Sequence, residues 1–131
     1  IGANFDPSHL FWQGIDPVKA IRYLGERNAI FHFHAKDTFI DPINAPLNGV
    51  LDAKPYTDLA HRSWLFRSVG YGHDEKTWKD IVSALRLVGY DYVLSIEHED
   101  ALASIDEGFG KAVSLLKKVI FEEEMPQAWW V

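Results

Sequence analysis

Acidic and histidine side chains gather at the ends of three apolar segments of the sequence. The segments span residues 2–5, 29–34 and 92–96, and the polar residues that close or follow them are, in order, Asp6 and His9; His32, His34 and Asp37; and Glu97, His98, Glu99 and Asp100. Short apolar runs that end in polar turns are typical of buried strands. Ligand sites of parallel α/β sheets lie at the carboxyl ends of the strands, so the three groups are predicted to converge.

Carboxylate and imidazole groups without cysteine form the ligand set of a divalent cation. The chain has six histidines and no cysteine, which excludes zinc-finger sites and thiol nucleophiles. Oxygen ligands suit Mg²⁺ and Mn²⁺, and imidazole suits Zn²⁺ and Co²⁺. His32 and His34 face the same side of their strand. His34 is nearer the carboxyl end and is the better ligand, whereas His32 has an alternative role as a buried histidine hydrogen-bonded beneath the site.

Three amphipathic segments are predicted to be helices that pack on the strands. Asp16 and Pro17 suit an N-cap and a first helical position, and apolar residues recur from there at helical spacing until Gly25. A second helix is predicted from Asp74 to a stop at Gly89, and a third follows a capping box at Ser104. Strands that alternate with helices indicate an α/β fold with parallel pairing.

The connection between the second strand and the second helix is unusually long. Residues 38–73 contain several prolines and glycines and no sustained hydrophobic periodicity, so they are predicted to form one long βα loop. Loops of this length are usually functional or poorly ordered.

The charge balance and the hydropathy pattern exclude two classes of partner. Thirteen Lys and Arg against 19 Asp and Glu give a net charge of −6, the wrong sign for a surface that binds phosphate backbones. No apolar run approaches the roughly 20 residues that a membrane span needs. We therefore expect no nucleic acid partner, no membrane association and a cytoplasmic location.

Four motifs, in this order, resemble those of a known family. They are NFDPSH at residues 4–9, HFHAKD at residues 32–37, Arg67 followed by GYG at residues 70–72, and SIEHED at residues 95–100. Together they resemble the sugar phosphate isomerase/epimerase group of the xylose isomerase-like TIM barrels, which also includes endonucleases of the endonuclease IV type. The resemblance covers essentially residues 1–121.

The resemblance implies that residues 1–131 are the C-terminal part of a (β/α)8 TIM barrel. The three predicted strands look like strands 6 to 8 of eight, with the first five strands absent. Length agrees with this interpretation, because a full barrel typically has about 250 residues.

The resemblance also implies roles for individual residues. Asp6, His34 and Glu97 match three of the family's metal ligands, and a fourth, a glutamate on an earlier strand, has no match here. His9 resembles a residue that contacts the substrate or takes part in catalysis. Arg67 resembles a cation that contacts substrate oxygens, with a solvated loop arginine as the alternative. Glu97 matches one of two glutamates that exchange a proton with the substrate.

The roles of several residues next to the implied ligands have two interpretations each. Lys36 and Asp37 either orient the ligand histidine from behind or form a surface ion pair. Glu99 and Asp100 either cap the turn or lie at the mouth of the site. Among the two carboxylates Glu97 and Glu99, Glu97 is the expected ligand, because a rigid strand end fixes a carboxylate better than the following loop.

The reaction implied is proton transfer next to a carbonyl in a sugar or sugar phosphate, through an enediolate stabilised by the divalent metal. The fragment alone is expected to be inactive, since the partner glutamate is outside it. Two alternatives remain: an endonuclease IV-like metal-dependent phosphodiesterase, and a non-catalytic barrel fragment. The identity of the sugar, and the choice between isomerase, epimerase and dehydratase, are left open.

Assembly gives the first testable prediction. Three strands cannot close an eight-stranded barrel, so the open side exposes unpaired strand edges and apolar inner surface. The 131-residue chain is therefore expected to self-associate, or to require the missing strands of the barrel. Light scattering measures this directly, and a compact monomer with a closed sheet would contradict it.

Overall fold

The computed structural model describes residues 1–52 and 54–130, which alternate strands with helices. The strands are β1 (Ala3–Phe5), β2 (Ile30–Ala35), β3 (Asp37–Ile40), β4 (Trp64–Arg67) and β5 (Leu94–Ile96). The helices are α1 (Pro7–Trp12), α2 (Pro17–Gly25), α3 (Asn44–Asn48), α4 (Glu75–Leu87) and α5 (Ile105–Val119), with a short 3₁₀ turn at Leu59–His61. In this described part of the chain no helix is long and apolar enough to cross a membrane.

The main sheet has three parallel strands in the order β1, β2, β5. Asn4 lies beside His32 in the register between β1 and β2, and His34 lies beside Ser95 between β2 and β5. All three strands therefore end at the same edge of the sheet. The prediction of an α/β fold with parallel strands is confirmed for this sheet.

The core lies between one face of the sheet and helices α2, α4 and α5. Phe33 and Ala35 on β2 are fully buried on this face, and the Phe33 ring stacks on Phe5 at 5.6 Å between centroids. Apolar residues of the three helices cover them: Ile21, Trp78, Ile81, Leu85, Ala112, Leu116 and Val119. Because side chains alternate along a strand, His32, His34 and the following Lys36 point to the opposite face.

Side-chain caps mark the first residues of three helices. Asp16 and Asp74 accept hydrogen bonds from backbone N–H groups in the first turns of α2 and α4, and Ser104 does so at α5. The predicted helices match these three. Helix α1 was not predicted, although Asp6 and Pro7 repeat the Asp-Pro signal of α2: Asp6 accepts from the Ser8 N–H at 2.8 Å, and Pro7 opens the helix.

The connection at residues 38–73, predicted as one long βα loop, contains secondary structure of its own. The connection contains β3 and β4, which pair antiparallel from Asp37 opposite Arg67 to Ile40 opposite Trp64. The Thr38 hydroxyl donates to the Ser8 carbonyl oxygen at 2.7 Å, so the hairpin is fixed to α1. The two strands are four residues each and their pairing partners are far apart in sequence, which hides them from a search for local periodicity.

The Asp37 carboxylate, which is fully buried, organises the return from the hairpin to α4. Its Oδ2 atom accepts from the backbone N–H groups of Gly70, Gly72 and His73, and from the indole N–H of Trp78. Its Oδ1 atom accepts from the Thr38 N–H and faces the His73 Nδ1 atom at 2.8 Å. Gly72 is required here, since a Cβ atom at that position would collide with the Thr38 backbone carbonyl.

The sequence offers two interpretations of Lys36 and Asp37: support of His34 from behind, or a surface ion pair. Neither holds for Asp37. A surface ion pair is wrong because both side chains are buried. Asp37 does not serve as the orienting partner of His34, since its two oxygens are used by residues 70–73, Thr38 and Trp78. Buried polar groups require such partners, and Asp37 obtains them from the loop, from Thr38 on β3 and from Trp78 on α4, with none from His34.

Replacement of Asp37 tests its structural role. Asp37→Asn removes the charge and turns an amide N–H₂ toward N–H donors, so the free energy of unfolding should fall by roughly 3 kcal/mol. Urea denaturation measures the change. The control is Asp80→Asn on the exposed side of α4, where an ion pair with Lys76 is worth less than about 1 kcal/mol. An Asp37 variant as stable as the control would refute the assignment.

Candidate metal centre

One carboxylate or imidazole from each strand of the main sheet meets at a single point. A ligand atom from each of Asp6, His34 and Glu97 lies within 4.8 Å of the others. Asp6 follows β1, His34 is on β2 and Glu97 follows β5, so the sheet register brings them together. The structure thus places the three residues singled out as metal ligands at one site.

The two carboxylate oxygens of Asp6 have different partners. Its Oδ1 atom caps α1, while its Oδ2 atom lies 3.6 Å from Nε2 of His9, whose side chain is half-exposed. The His9 ring also packs edge-on against Phe66 at 5.2 Å between centroids. His9 therefore stands beside the cluster at the solvent side, a position from which it can contact a bound molecule.

His34 lies between the two other strands. Its Nδ1 atom is 2.7 Å from Oε2 of Glu97, and its Nε2 atom is 3.5 Å from the side-chain nitrogen of Asn4. His32 lies one position earlier on the same face, with its ring 5.3 Å from that of His34. His32 is half-buried, so it is neither a fully buried support nor a member of the three-residue cluster.

The donor set fits a divalent cation. Bonds of roughly 2.0–2.2 Å hold two ligand atoms of one ion at most about 4.4 Å apart, and the three donors lie within 4.8 Å of one another. Small rotations of the exposed parts of these side chains bring them into range. Two carboxylates and one imidazole form a mixed set of oxygen and nitrogen ligands. The imidazole makes this set suitable for Mn²⁺, Co²⁺ or Zn²⁺.

Lys36 adds a buried cation to the same site. Its Nζ atom donates to Oε1 of Glu97 at 3.0 Å and to a carboxylate oxygen of Glu99. The ammonium also lies 3.9 Å from the centroid of the Phe66 ring. Burial alone would lower the pKa of Lys36, but the hydrogen bonds and charges of the two glutamates raise it above its usual value.

The electrostatics of the site keep Glu97 ionised. Burial alone would raise the pKa of the Glu97 carboxyl, but the hydrogen bond and charge of Lys36, followed by His34, lower the pKa below its usual value. A carboxylate in this form can accept a proton or bind a cation.

Arg67 belongs to a second polar group beside the cluster. Its Nε atom donates to both oxygens of Asp100 at 3.1 Å, and the Ser68 N–H donates to Asp100 Oδ2 at 2.8 Å. Asp100 also caps the turn through the Leu102 N–H, in agreement with the turn-cap interpretation of the sequence. Arg67 is mostly buried on β4, so the alternative of a solvated loop arginine is wrong.

Sequence reasoning missed the environment of Lys36, Asp37 and His73. One signal was available for Lys36, because it follows His34 by two positions and so lies on the same side of the strand. Its partners are 61 and 63 residues away, which no local pattern indicates. His73, which belongs to none of the four motifs, faces Asp37 and stacks on Phe11 at 3.6 Å between centroids.

A comparison with family models identifies the architecture to which these strands belong. The model described as xylose isomerase-like TIM barrel matches residues 1–119. The chain belongs to the xylose isomerase-like TIM barrel family. The resemblance inferred from the four motifs is thereby confirmed at the level of the family.

Two known proteins are similar to most of the chain. An uncharacterized protein of Bacillus subtilis (strain 168), YfiH, is 42% identical over 120 residues, which are 92% of this chain and 38% of that protein. The crystal structure of a xylose isomerase domain protein from Planctomyces limnophilus superimposes with a TM-score of 0.61 and 24% identity, over 90% of this chain and 37% of that one. The chain thus spans well under half the length of each.

The acid sensitivity of the Arg67 group is testable. Burial alone would raise the pKa of Asp100, but hydrogen bonds from the Ser68 and Leu102 N–H groups, from the Ser68 hydroxyl and from Arg67 hold the pKa below its usual 3.8. The resulting stability is fully present well above pH 3.8 and is lost as the pH falls through the lowered pKa. Urea denaturation of the wild type at falling pH should show this loss, with a shallower dependence for Asp100→Asn. Equal slopes for the two proteins would contradict the prediction.

Proposed function

We propose that the chain is the metal-binding part of a sugar or sugar-phosphate isomerase or epimerase. The observation that carries the proposal is the meeting of Asp6, His34 and Glu97 at the carboxyl ends of three parallel strands. Sites at this end of a barrel are typically catalytic. Membership of the xylose isomerase-like family supports the same class of reaction without specifying the sugar.

A divalent cation held by the three residues would supply a Lewis acid for a carbonyl and a neighbouring hydroxyl of the sugar. Two other steps, removal of the substrate proton and contact with the substrate, are assigned to residues of the chain itself. In this proposal Glu97, held ionised by Lys36, takes the proton from the carbon next to the carbonyl. His9, which is half-exposed beside Asp6, contacts the substrate.

Arg67, which Asp100 holds beside the cluster, is proposed to contribute to substrate binding. Its Nε atom is used by Asp100, so a contact with substrate oxygens would come from the other end of the guanidinium group. The resemblance implies a second glutamate on an earlier strand as the partner of Glu97 in proton exchange. The whole reaction is accordingly proposed for the complete barrel, and the 131-residue chain by itself is expected not to turn over.

Proton exchange with solvent tests the reaction class before the sugar is known. A complete barrel containing this chain, loaded with Mn²⁺, is incubated in D₂O with a panel of aldoses, ketoses and their phosphates. Deuterium should appear at the carbon next to the carbonyl in one substrate class, as followed by NMR. A panel that shows no exchange, with metal bound, would contradict the proposed function.

Glu97 is the residue whose replacement tests the mechanism. Glu97→Gln should preserve the fold while lowering the rate by about 10² to 10⁴, the range expected for a positioned acid or base. The matched comparison is Glu99→Gln, which changes the neighbouring glutamate outside the three-residue cluster. Near-normal turnover of the Glu97 variant together with an inactive Glu99 variant would reverse the assignment.

The two alternatives from the sequence receive less support. A net charge of −6 does not favour a phosphodiesterase acting on DNA. Cleavage of DNA at an abasic site by the metal-loaded complete barrel would nevertheless establish that activity. Failure of the chain to bind any divalent cation, with its fold intact, would favour a non-catalytic fragment.

A further inference from the structure

Lys36 is a buried cation to which the proposed reaction gives no direct role. Its side chain is 1% exposed, yet its ammonium reaches the edge of the cluster of Asp6, His34 and Glu97. Groups from two segments hold this nitrogen: Glu97 and Glu99 from the loop after β5, and the ring of Phe66 on β4. A lysine is rarely buried unless it is paired, and here both partners are carboxylates of the loop that contains a candidate ligand.

The two glutamates bound to Lys36 differ in their relation to the cluster. The Oε2 atom of Glu97 lies 2.7 Å from Nδ1 of His34, while Lys36 holds its Oε1 atom. Glu99 is 54% exposed and is attached to the site through Lys36. Both carboxylates bind the same Lys36 nitrogen, so a carboxylate oxygen of Glu99 stands beside that of Glu97. Without Lys36, a divalent cation at the cluster would attract Glu99.

Lys36 is the cation that offsets the carboxylates on this chain's side of the site. Of the three carboxylates Asp6, Glu97 and Glu99, the last two are bound by its ammonium. Removal of Lys36 would leave Glu99 without its partner beside a doubly charged ion. A carboxylate in that situation becomes a ligand, as the dependence of cation affinity on the number of charged ligands indicates.

We propose that Lys36 is a positioning residue that keeps Glu99 from ligating the metal and leaves a single oxygen of Glu97 available to it. The inference rests on the proposed function in that it takes Asp6, His34 and Glu97 as the ligands. Its consequence is that the chain supplies three ligands and no more. Coordination positions then stay available for the oxygens of a substrate.

Binding of Mn²⁺ to a complete barrel that contains this chain tests the proposal independently of turnover. Affinity is measured by calorimetry, and the number of water molecules on the bound ion by proton relaxation, for the wild type, Lys36→Met, Glu99→Gln and the double variant. Lys19→Met, which removes an exposed lysine on α2, controls for a change of net charge. Glu97→Gln identifies binding at the proposed site.

Lys36→Met is expected to bind Mn²⁺ about tenfold more tightly and with fewer bound waters, because Glu99 joins the coordination. The double variant should return both values toward those of the wild type, and Glu99→Gln alone should change affinity by less than about threefold. Lys36→Gln, which keeps a polar group, provides a second test if the methionine variant does not fold.

Four results would overturn the proposal. They are unchanged or weaker binding in both Lys36 variants, tighter binding that persists in the double variant, an equal gain in Lys19→Met, and a loss above tenfold in Glu99→Gln. Each leaves the proposed function intact if the wild type binds Mn²⁺ and Glu97→Gln weakens that binding. Absence of binding in the folded wild type would instead remove the proposed function and this inference together.

Discussion

Burial of a charged carboxylate in a protein interior is unfavourable unless hydrogen bonds replace the lost water, and the Asp37 side chain meets this condition completely. Its donors come from the start of the hairpin, from the loop at residues 70–73 and from the core residue Trp78. The carboxylate, on β3 just after the strand that bears the candidate ligand His34, consequently joins the hairpin to helix α4. Arg67 and Ser68 precede the same loop, so the position of the Asp100 group also depends on this interaction.

The second organising constraint is the alternation of side chains along β2. Phe33 and Ala35 are buried against the helices, and this fixes the opposite orientation for His32, His34 and Lys36. The same packing that stabilises the core therefore determines which residues can reach the site. Lys36 extends the alternation one position past the strand, where the two glutamates of the β5 loop meet its ammonium.

The sequence is most informative where structure is determined by neighbours along the chain. The caps at Asp16, Asp74 and Ser104 are local hydrogen bonds, and the helices that follow them were predicted correctly. The convergence of three strand ends was also predictable, because parallel strands share an edge. Asp6 and Pro7 form the N-cap and first residue of helix α1, the same Asp-Pro pattern that begins α2, but they are assigned to a turn from the sequence. The pairing of β3 with β4 and the partners of Lys36 depend on residues distant in sequence, which local patterns do not encode.

Each member of the cluster comes from a different strand, and this has a consequence for how the sequence can vary. The distances between Asp6, His34 and Glu97 depend on the register of β1, β2 and β5, not on the number of residues that separate them along the chain. Insertions between β3 and β4, as in the surface segment around α3, can lengthen the protein without moving the cluster. A single residue inserted within β2 before His34 would instead turn the imidazole into the core and leave Phe33 facing the cluster. The site is thus tolerant of change in loop length and intolerant of any slip between strands.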